Sequence, residues 1–232
     1  MSNRFGDGDN IAVRRGIEII MDVDYDGDRE RTQFYGDINR EDEWLVGDWD
    51  GDGADNIAVR RGREIIMDYN FDGARDRTQY YGYGNEEYLV GDWNGDGRDN
   101  IAVRRGNEII MDYNFDSVRD RTQFFGFGNE EYLVGDWDGD GRDNIAVRRG
   151  NEIIMDHNFD GARDQTQRFG TGTEEYLVGD WDGDGRDNIA IRIGNEIHMD
   201  VDYDNQVDFV QRYGNGNRED QYLVGNWDDD GR

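Results

Sequence analysis

Short apolar runs alternate with acidic, glycine-rich stretches along the whole chain, and no stretch follows a helical period. One representative segment contains four apolar runs, at residues 88–93, 101–105, 108–112 and 121–125. Each run is rich in Ile, Val, Tyr and Phe and is bounded by Gly, Asn or Asp, which is typical of short β-strands. The run Ile109-Ile110-Met111 is apolar at successive positions, which predicts a strand covered on both faces.

This four-strand pattern occurs five times. The string NIA begins at Asn10, Asn56, Asn100, Asn144 and Asn188, and the string LVG begins at Leu45, Leu89, Leu133, Leu177 and Leu223. Successive copies are 44 or 46 residues apart. Four buried strands in a repeat of this length are typical of a β-propeller blade. A linear β-solenoid is the alternative, because its repeats also bury their faces by stacking.

The phase of the repeat at the two ends favours the propeller. The sequence enters at a second strand, residues 9–13, and its last repeat supplies a first strand and most of the acidic loop, residues 222–232. The two ends therefore complete one blade, and closing the ring removes the free sheet edges. We predict an all-β, five-bladed β-propeller of four-stranded antiparallel blades. It forms a single domain over residues 1–232, and its first blade is shared between residues 10–37 and 222–232.

An acidic loop joins the first and second strands of each repeat. Its first, third and fifth positions are Asp48, Asp50 and Asp52; Asp92, Asn94 and Asp96; Asp136, Asp138 and Asp140; Asp180, Asp182 and Asp184; and Asn226, Asp228 and Asp230. Gly at the sixth position allows a tight turn that points several oxygens at one hard cation, as calcium requires. The twelfth position is apolar, Val59 in the first copy, so these loops are not EF-hands.

A second acidic loop class lies between the third and fourth strands. Its first, third, fifth and ninth positions are Asp22, Asp24, Asp26 and Glu30; Asp68, Asn70, Asp72 and Asp76; Asp112, Asn114, Asp116 and Asp120; Asp156, Asn158, Asp160 and Asp164; and Asp200, Asp202, Asp204 and Asp208. These residues are candidate calcium ligands as well, because clustered carboxylates repel one another unless a cation lies between them. The alternative for both classes is ordinary Asx-turn structure without a metal. Ser117 at the sixth position suits a left-handed turn poorly.

The segment Asp136–Val147, with Phe127-Gly128 and Val134-Gly135 before it, resembles the FG-GAP and VCBS repeats of integrin α-subunits and bacterial surface proteins. The resemblance covers all five repeats. It implies a propeller with calcium in the first loop class and an extracellular or cell-surface location. It also adds the ninth loop position as a ligand, which here is Asn10, Asn56, Asn100, Asn144 or Asn188. The family has Asp at that position, and Asp143, the preceding residue, offers a replacement carboxylate.

The amino-acid composition limits the classes of ligand and partner that the protein can bind. The chain has 55 acidic and 26 basic residues and a net charge of −29, which disfavours binding to nucleic acids and anionic membranes. Calcium fits better than zinc, because Cys is absent and the two His residues are isolated. No apolar run has the roughly 20 residues of a membrane helix, and no signal peptide is evident at the start. A monomer is expected.

These features predict a non-catalytic, lectin-like calcium-binding module with several sites for glycans or surface proteins. Tyr83, Phe127, Tyr69 and Tyr113 are candidate contact residues, or else unconstrained loop positions. The first alternative is a designed or recently amplified scaffold that binds only calcium, and an enzyme acting on polysaccharides is the second. The Trp of each first-class loop is expected in the core. The second Arg of the NIAVRR strand is expected to pair with neighbouring acids rather than with a ligand.

Overall fold

The computed structural model describes residues 8–40, 42–216 and 220–228. These residues form 20 strands, arranged as five four-stranded antiparallel sheets, and the predicted five-bladed β-propeller is confirmed. The described ranges contain no helix long and apolar enough to cross a lipid bilayer. Each blade is one repeat, as the period of the apolar runs predicts.

The strands of each blade follow one another outwards, with the first strand of the repeat innermost. Blade 1 contains β20 (Gln221–Gly225), β1 (Asn10–Arg15), β2 (Glu18–Met21) and β3 (Arg31–Phe34). Blade 2 contains β4 (Glu43–Gly47), β5 (Asn56–Arg61), β6 (Glu64–Asp68) and β7 (Arg77–Tyr80). Blade 3 contains β8 (Glu87–Gly91), β9 (Asn100–Arg105), β10 (Glu108–Asp112) and β11 (Arg121–Phe124). Blade 4 contains β12 (Glu131–Gly135), β13 (Asn144–Arg149), β14 (Glu152–Asp156) and β15 (Gln165–Arg168). Blade 5 contains β16 (Glu175–Gly179), β17 (Asn188–Ile193), β18 (Glu196–Asp200) and β19 (Phe209–Arg212).

The ring closes as predicted. Strand β20 pairs antiparallel with β1, in a register that places Asn10 opposite Gly225 and Val13 opposite Tyr222. Each innermost strand also contacts the innermost strands of both neighbouring blades, and β20 lies between β16 and β4. The last strand therefore holds blade 1 together and joins it to blades 5 and 2.

The hydrophobic core is divided among the five blade-to-blade interfaces. Ile109 and Met111 are fully buried and Ile110 is 7% exposed, which confirms that β10 is covered on both faces. The five loop tryptophans, Trp49, Trp93, Trp137, Trp181 and Trp227, are at most 1% exposed. Their predicted core role is confirmed, and none of them offers a face to a sugar.

The second-class loops share an unusual backbone. An aromatic residue at the fourth position has φ near +60° in every copy: Tyr25, Phe71, Phe115, Phe159 and Tyr203. A bulky residue in this region is strained, so tertiary contacts must hold it there. Those contacts cross the interface between blades, because Arg77 of blade 2 lies 4.5 Å above the Phe115 ring of blade 3 and Arg121 lies 4.6 Å above the Phe159 ring.

Replacing Ser117 with Gly should stabilise the protein by about 0.5–1 kcal/mol, because Ser117 has φ +67° where three sister loops have Gly. Urea unfolding of Ser117→Gly measures the gain. The matched reverse change, Gly73→Ser at φ +78°, should cost a similar amount. An unchanged or lower midpoint for Ser117→Gly would show that the loop imposes no strain there.

Candidate metal centres

Three first-class loops bring their acidic side chains together. In each, one carboxylate oxygen from the first, third and fifth positions lies within 4.8 Å of the other two: Asp48, Asp50 and Asp52; Asp136, Asp138 and Asp140; and Asp180, Asp182 and Asp184. The loop between β8 and β9 is different, because Asn94 replaces the third acid and its Nδ2 donates to Asp96 Oδ2 at 3.1 Å. In the loop after β20, Asn226 and Asp228 belong to the described residues and Asp230 lies outside them.

The first acid of each loop organises the turn. Asp136 Oδ1 accepts hydrogen bonds from the backbone N–H groups of Gly139 and Asp140 at 2.8 and 3.1 Å, and Oδ2 accepts one from Gly141 at 2.7 Å. The predicted Asx-turn geometry is therefore present, and it leaves the third and fifth acids to face one another. Local turn structure and metal binding are compatible here, since each carboxylate oxygen has two lone pairs.

Several polar atoms at these loops lack a partner. The Oδ1 atoms of Asp50 and Asp138 are buried and accept no hydrogen bond. The same holds for Oδ1 of the five ninth-position residues, Asn10, Asn56, Asn100, Asn144 and Asn188, whose side chains are at most 2% exposed. A buried carboxylate oxygen without a partner costs free energy, which a bound cation would recover. The donor set is oxygen only, and it therefore fits a hard divalent cation.

The residue at the eighth position of each first-class loop is not the replacement metal ligand that the sequence suggested for Asp143. Asp143 does not complete its own loop; its Oδ2 accepts the backbone N–H of Asp92 from the preceding blade at 2.7 Å, and its own N–H donates to Asp92 O at 3.0 Å. Equivalent pairs of bonds link every adjacent pair of blades. We call these five residues the axial aspartates: Asp9, Asp55, Asp99, Asp143 and Asp187.

The axial aspartates lie close enough to influence one another's charge. Burial and the neighbouring carboxylates raise the pKa of Asp55, Asp99 and Asp187 well above the ordinary value. Burial also raises the pKa of Asp9 to about 6 and that of Asp143 to about 7. The close approach also explains the Gly that ends each innermost strand, because a Cβ on Gly135 would lie 2.8 Å from Asp187 Oδ2.

Two second-class loops also form acidic clusters. Asp22, Asp24, Asp26 and Glu30 converge in blade 1, and Asp200, Asp202 and Asp208 converge in blade 5, while Asp204 is outside that cluster. The predicted ligands of the other three loops do not form clusters of three acids, because Asn70, Asn114 and Asn158 occupy the third position. In those loops the Asn Oδ1 accepts the backbone N–H of the fifth residue, which closes an Asx-turn.

The ninth acid of each second-class loop also closes the turn. Asp120 Oδ2 accepts the backbone N–H of Tyr113 at 2.7 Å. Asp76, Asp164, Asp208 and Glu30 do the same in their own loops. These ninth-position carboxylates therefore have a structural role whether or not a cation binds.

A blade-to-blade hydrogen bond supports each second-class loop, and the sequence reasoning missed it. The first acid accepts a bond from a buried Gln on the outermost strand of the preceding blade, with Gln33 Nε2 2.6 Å from Asp68 Oδ2. The other pairs are Gln79 with Asp112, Gln123 with Asp156, Gln167 with Asp200 and Gln211 with Asp22, at 2.6 to 2.9 Å. The signal was a Gln recurring beside the Thr of RTQ, at the spacing of the repeat.

The remaining predicted contact residues divide into two groups. Tyr83 and Phe127 are 76% and 78% exposed and extend from the linkers that follow the outermost strands. Tyr69 and Tyr113 are half-buried against the core, so they are packing residues rather than free contact residues. The predicted pairing of the second Arg is confirmed, since Arg15, Arg61, Arg105 and Arg149 bind Asp220, Asp42, Glu86 and Glu130.

No protein-family model and no curated protein sequence matches this chain. Solved structures with a similar fold include a Bacteroides caccae protein of unknown function, with 10% identity, a TM-score of 0.48, and coverage of 88% of this chain and 73% of that chain. A lectin from Agrocybe aegerita, described as recognising non-reducing terminal N-acetylglucosamine, has 15% identity, a TM-score of 0.48, and coverage of 84% and 60%. The Vibrio cholerae biofilm matrix protein Bap1 has 16% identity, a TM-score of 0.34, and coverage of 90% and 34%. This chain thus spans between a third and three quarters of those chains, and the likeness concerns the fold alone.

Proposed function

We propose that this protein is a calcium-binding β-propeller and a non-catalytic, multivalent binding module for glycans or surface proteins. The observation that supports calcium most directly is the buried Oδ1 of Asp50 and of Asp138, which has no hydrogen-bond donor inside a cluster of three acids. Clustered carboxylates with an uncompensated buried oxygen are the chemistry that calcium neutralises.

The ligands we assign are the first, third, fifth and ninth residues of the first-class loops, for example Asp136, Asp138, Asp140 and Asn144. The resemblance to FG-GAP and VCBS repeats supports this choice, and it also supports an extracellular or cell-surface location. The clusters at Asp22 and Asp200 are further candidates. Loops with Asn94, Asn70, Asn114 or Asn158 at the third position offer one carboxylate fewer and should bind more weakly.

The repeated architecture supports a multivalent binding function. Five nearly equal blades present equivalent surfaces around one ring, so a polymeric ligand can be held by several weak contacts at once. Exposed aromatic rings such as Tyr83 and Phe127 suit the apolar faces of sugars. A catalytic role is the weaker proposal. General acid–base chemistry needs two groups in different environments, and the axial aspartates occupy equivalent positions.

A scaffold that binds only calcium is the second candidate function, and the near identity of blades 2, 3 and 4 favours it. The two candidates share the metal and differ in the ligand. Binding to a glycan array in the presence of calcium supports the module, and binding of calcium alone supports the scaffold.

Calcium should raise the melting temperature by mass action. At a concentration 100 times the Kd, one site adds about 2.7 kcal/mol, which corresponds to about 5–10 °C in a chain of this size. Differential scanning calorimetry with calcium and with a chelator measures the shift. Asp50→Asn and Asp138→Asn should each reduce it and lower the calcium count by one.

The blade 3 loop supplies a matched control for this measurement. Asn94→Asp restores the third acid and removes the Asn94–Asp96 hydrogen bond, so it should add one bound calcium ion. A chelator that leaves the melting temperature unchanged, together with a metal count of zero, would show that the loops are turns without a cation.

A further inference from the structure

Clefts open between adjacent blades at the interfaces of blades 1 and 2, 2 and 3, 3 and 4, and 5 and 1. The clefts between blades 2 and 3 and between blades 3 and 4 enclose about 500 and 530 Å³. Those between blades 5 and 1 and between blades 1 and 2 enclose about 360 and 200 Å³. The clefts are distinct from the acidic clusters, and each is lined by an aromatic residue and by arginines of the following blade.

Two arginines of the following blade face each cleft. One is the second Arg of the NIAVRR strand, which a carboxylate holds in place: Arg105 Nη2 lies 2.9 Å from Glu86 Oε1. The other belongs to the second-class loop, and in three clefts it is Arg75, Arg119 or Arg163. These three side chains are exposed and form no salt bridge with any described residue. Each of the three clefts therefore offers a free guanidinium in a protein whose net charge is −29.

The local charge of these clefts is opposite to that of the whole chain. The cleft between blades 2 and 3 is lined by three arginines and one acid, Glu108. The clefts between blades 3 and 4 and between blades 1 and 2 have two arginines each and no acid in their walls. The cleft between blades 5 and 1 is less positive, because Asp28 lies beside Arg29, which is also paired with Glu18.

The remaining wall is aromatic, because each of the three clefts is lined by an exposed ring and by a buried aromatic residue, Tyr35, Tyr81 or Phe125. Tyr83 and Phe127 stand exposed at the rims of the two larger clefts, and their rings lie 4.1 and 4.2 Å from the guanidinium carbons of Arg105 and Arg149. In the cleft between blades 1 and 2, Tyr35 is only 6% exposed, and its buried hydroxyl has no hydrogen-bond partner. Tyr81 occupies the same position between blades 2 and 3.

The fifth interface differs at both arginine positions together. In blade 5 the strand position is Ile193 and the loop position is Val207, which are 50% and 45% exposed. Neither replacement is needed to fill a core, since both side chains face solvent. Both arginines are therefore replaced together in blade 5. This joint replacement indicates that the two arginines of the other blades bind one common ligand, and that neither is needed to pack its blade.

We infer that the clefts between blades 1 and 2, 2 and 3, and 3 and 4 bind acidic saccharides, with the carboxylate of a sugar ring held by Arg75, Arg119 or Arg163. This inference rests on the proposed binding function and specifies the ligand class and location. A guanidinium presents paired N–H donors that match a carboxylate, and an adjacent aromatic ring packs against the apolar face of a sugar. A volume of about 200–530 Å³ suits one or two sugar rings.

The test compares acidic probes with their neutral counterparts. Polymers that carry 3′-sialyllactose or glucuronic acid, and matched polymers that carry lactose or glucose, are immobilised and binding of the full chain is measured in calcium. We expect at least one of the acidic polymers to bind at least about tenfold more tightly than its neutral counterpart. The neutral sugar has no carboxylate to accept the charged hydrogen bonds from arginine. The two acidic arms distinguish a sialic acid from a uronic acid.

Matched variants then locate the site. Arg119→Gln with Arg163→Gln should weaken binding at least about tenfold through lost carboxylate contacts and lost avidity. Arg168→Gln with Arg212→Gln removes the same charge from exposed outermost strands, outside the clefts, and should change binding less than about twofold. Ile193→Arg with Val207→Arg should build a fourth site and increase binding, so the conclusion does not depend on loss-of-function variants alone.

Each alternative result has a definite meaning. Equal binding of acidic and neutral polymers would overturn the acidic-saccharide inference and leave the glycan-binding module standing. Equal losses in the cleft and control variants would place the site elsewhere. Binding to none of the polymers, together with a calcium-dependent melting temperature, would overturn both this inference and the glycan-binding proposal, and would leave the calcium scaffold.

Discussion

Deletion of residues 221–232 should abolish cooperative unfolding, the largest effect that we predict for any change in this chain. The deletion removes β20, the innermost strand of blade 1, together with Trp227, which is fully buried and donates through Nε1 to Asn10 O at 3.2 Å. Leu223 and Tyr222 are also lost from two different blade interfaces. Removing one large core side chain costs about 3–5 kcal/mol. The loss of three is therefore comparable with the whole 5–15 kcal/mol that stabilises a typical protein.

Urea unfolding followed by tryptophan fluorescence and far-UV circular dichroism measures this loss. The matched control is a circular permutant in which residues 220–232 precede residue 8, because it keeps every strand, moves the chain ends to another loop and omits only residues 1–7. We expect the permutant to unfold like the parent. A truncated protein with a sharp transition near the parent midpoint would contradict the closure of the ring by β20.

Stability of the calcium-free protein should fall as the pH rises from 5 to 8. Burial raises the pKa of Asp9 to about 6 and of Asp143 to about 7 in the folded protein, so their neutral forms are favoured there. A group with a raised pKa contributes its full stabilisation below the unfolded value, near 4, and loses it as the pH passes through the folded value. The carboxyls of Asp42 and Asp220 act in the opposite sense, because hydrogen bonds from Arg61 and Arg15 lower their pKa.

Asp143→Asn should remove part of this dependence. The amide Oδ1 can still accept the Asp92 N–H, while the charge is gone. At pH 8 in a chelator we expect the free energy of unfolding to rise by about 2 kcal/mol and the melting temperature by about 4–8 °C. The gain is limited because the other axial aspartates keep their charge–charge repulsion. Below about pH 4 the variant and the parent should melt together, and the gain should grow as the pH rises from about 4 to 7. The exposed control Asp28→Asn removes the same charge and should leave the pH dependence intact; an equal change in both variants would assign the effect to net charge.

The period of the sequence was sufficient to predict the fold. Four apolar runs per repeat specify a blade, and the phase of Asn10 and Leu223 specifies how the ring closes. Trp93 and Ile109 could be placed in the core because they recur beside apolar strands. These inferences succeeded since local alternation and repeat length determine them without knowledge of distant contacts.

The candidate sites were predictable only in part. The spacing of Asp136, Asp138 and Asp140 predicts a cluster, and the structure brings them together. The role of Asp143 could not be read from spacing, because its partner, Asp92, belongs to another blade and is 51 residues away. The Gln123–Asp156 bond and the clefts at Arg119 and Arg163 could not be predicted for the same reason, because they also form between residues of different blades. A repeat indicates what each unit contains, whereas contacts between units depend on how the ring packs.

The pairing of β20 with β1 joins the most distant parts of the described chain, with Asn10 opposite Gly225. During synthesis β1 has no inner partner until the whole ring has been made, and its edge stays open for that time. A second molecule carries an identical β20, so two chains can exchange these strands when they fold at high concentration. Refolding of this protein should therefore give monomer in dilute solution and a growing share of strand-exchanged dimer as the concentration rises.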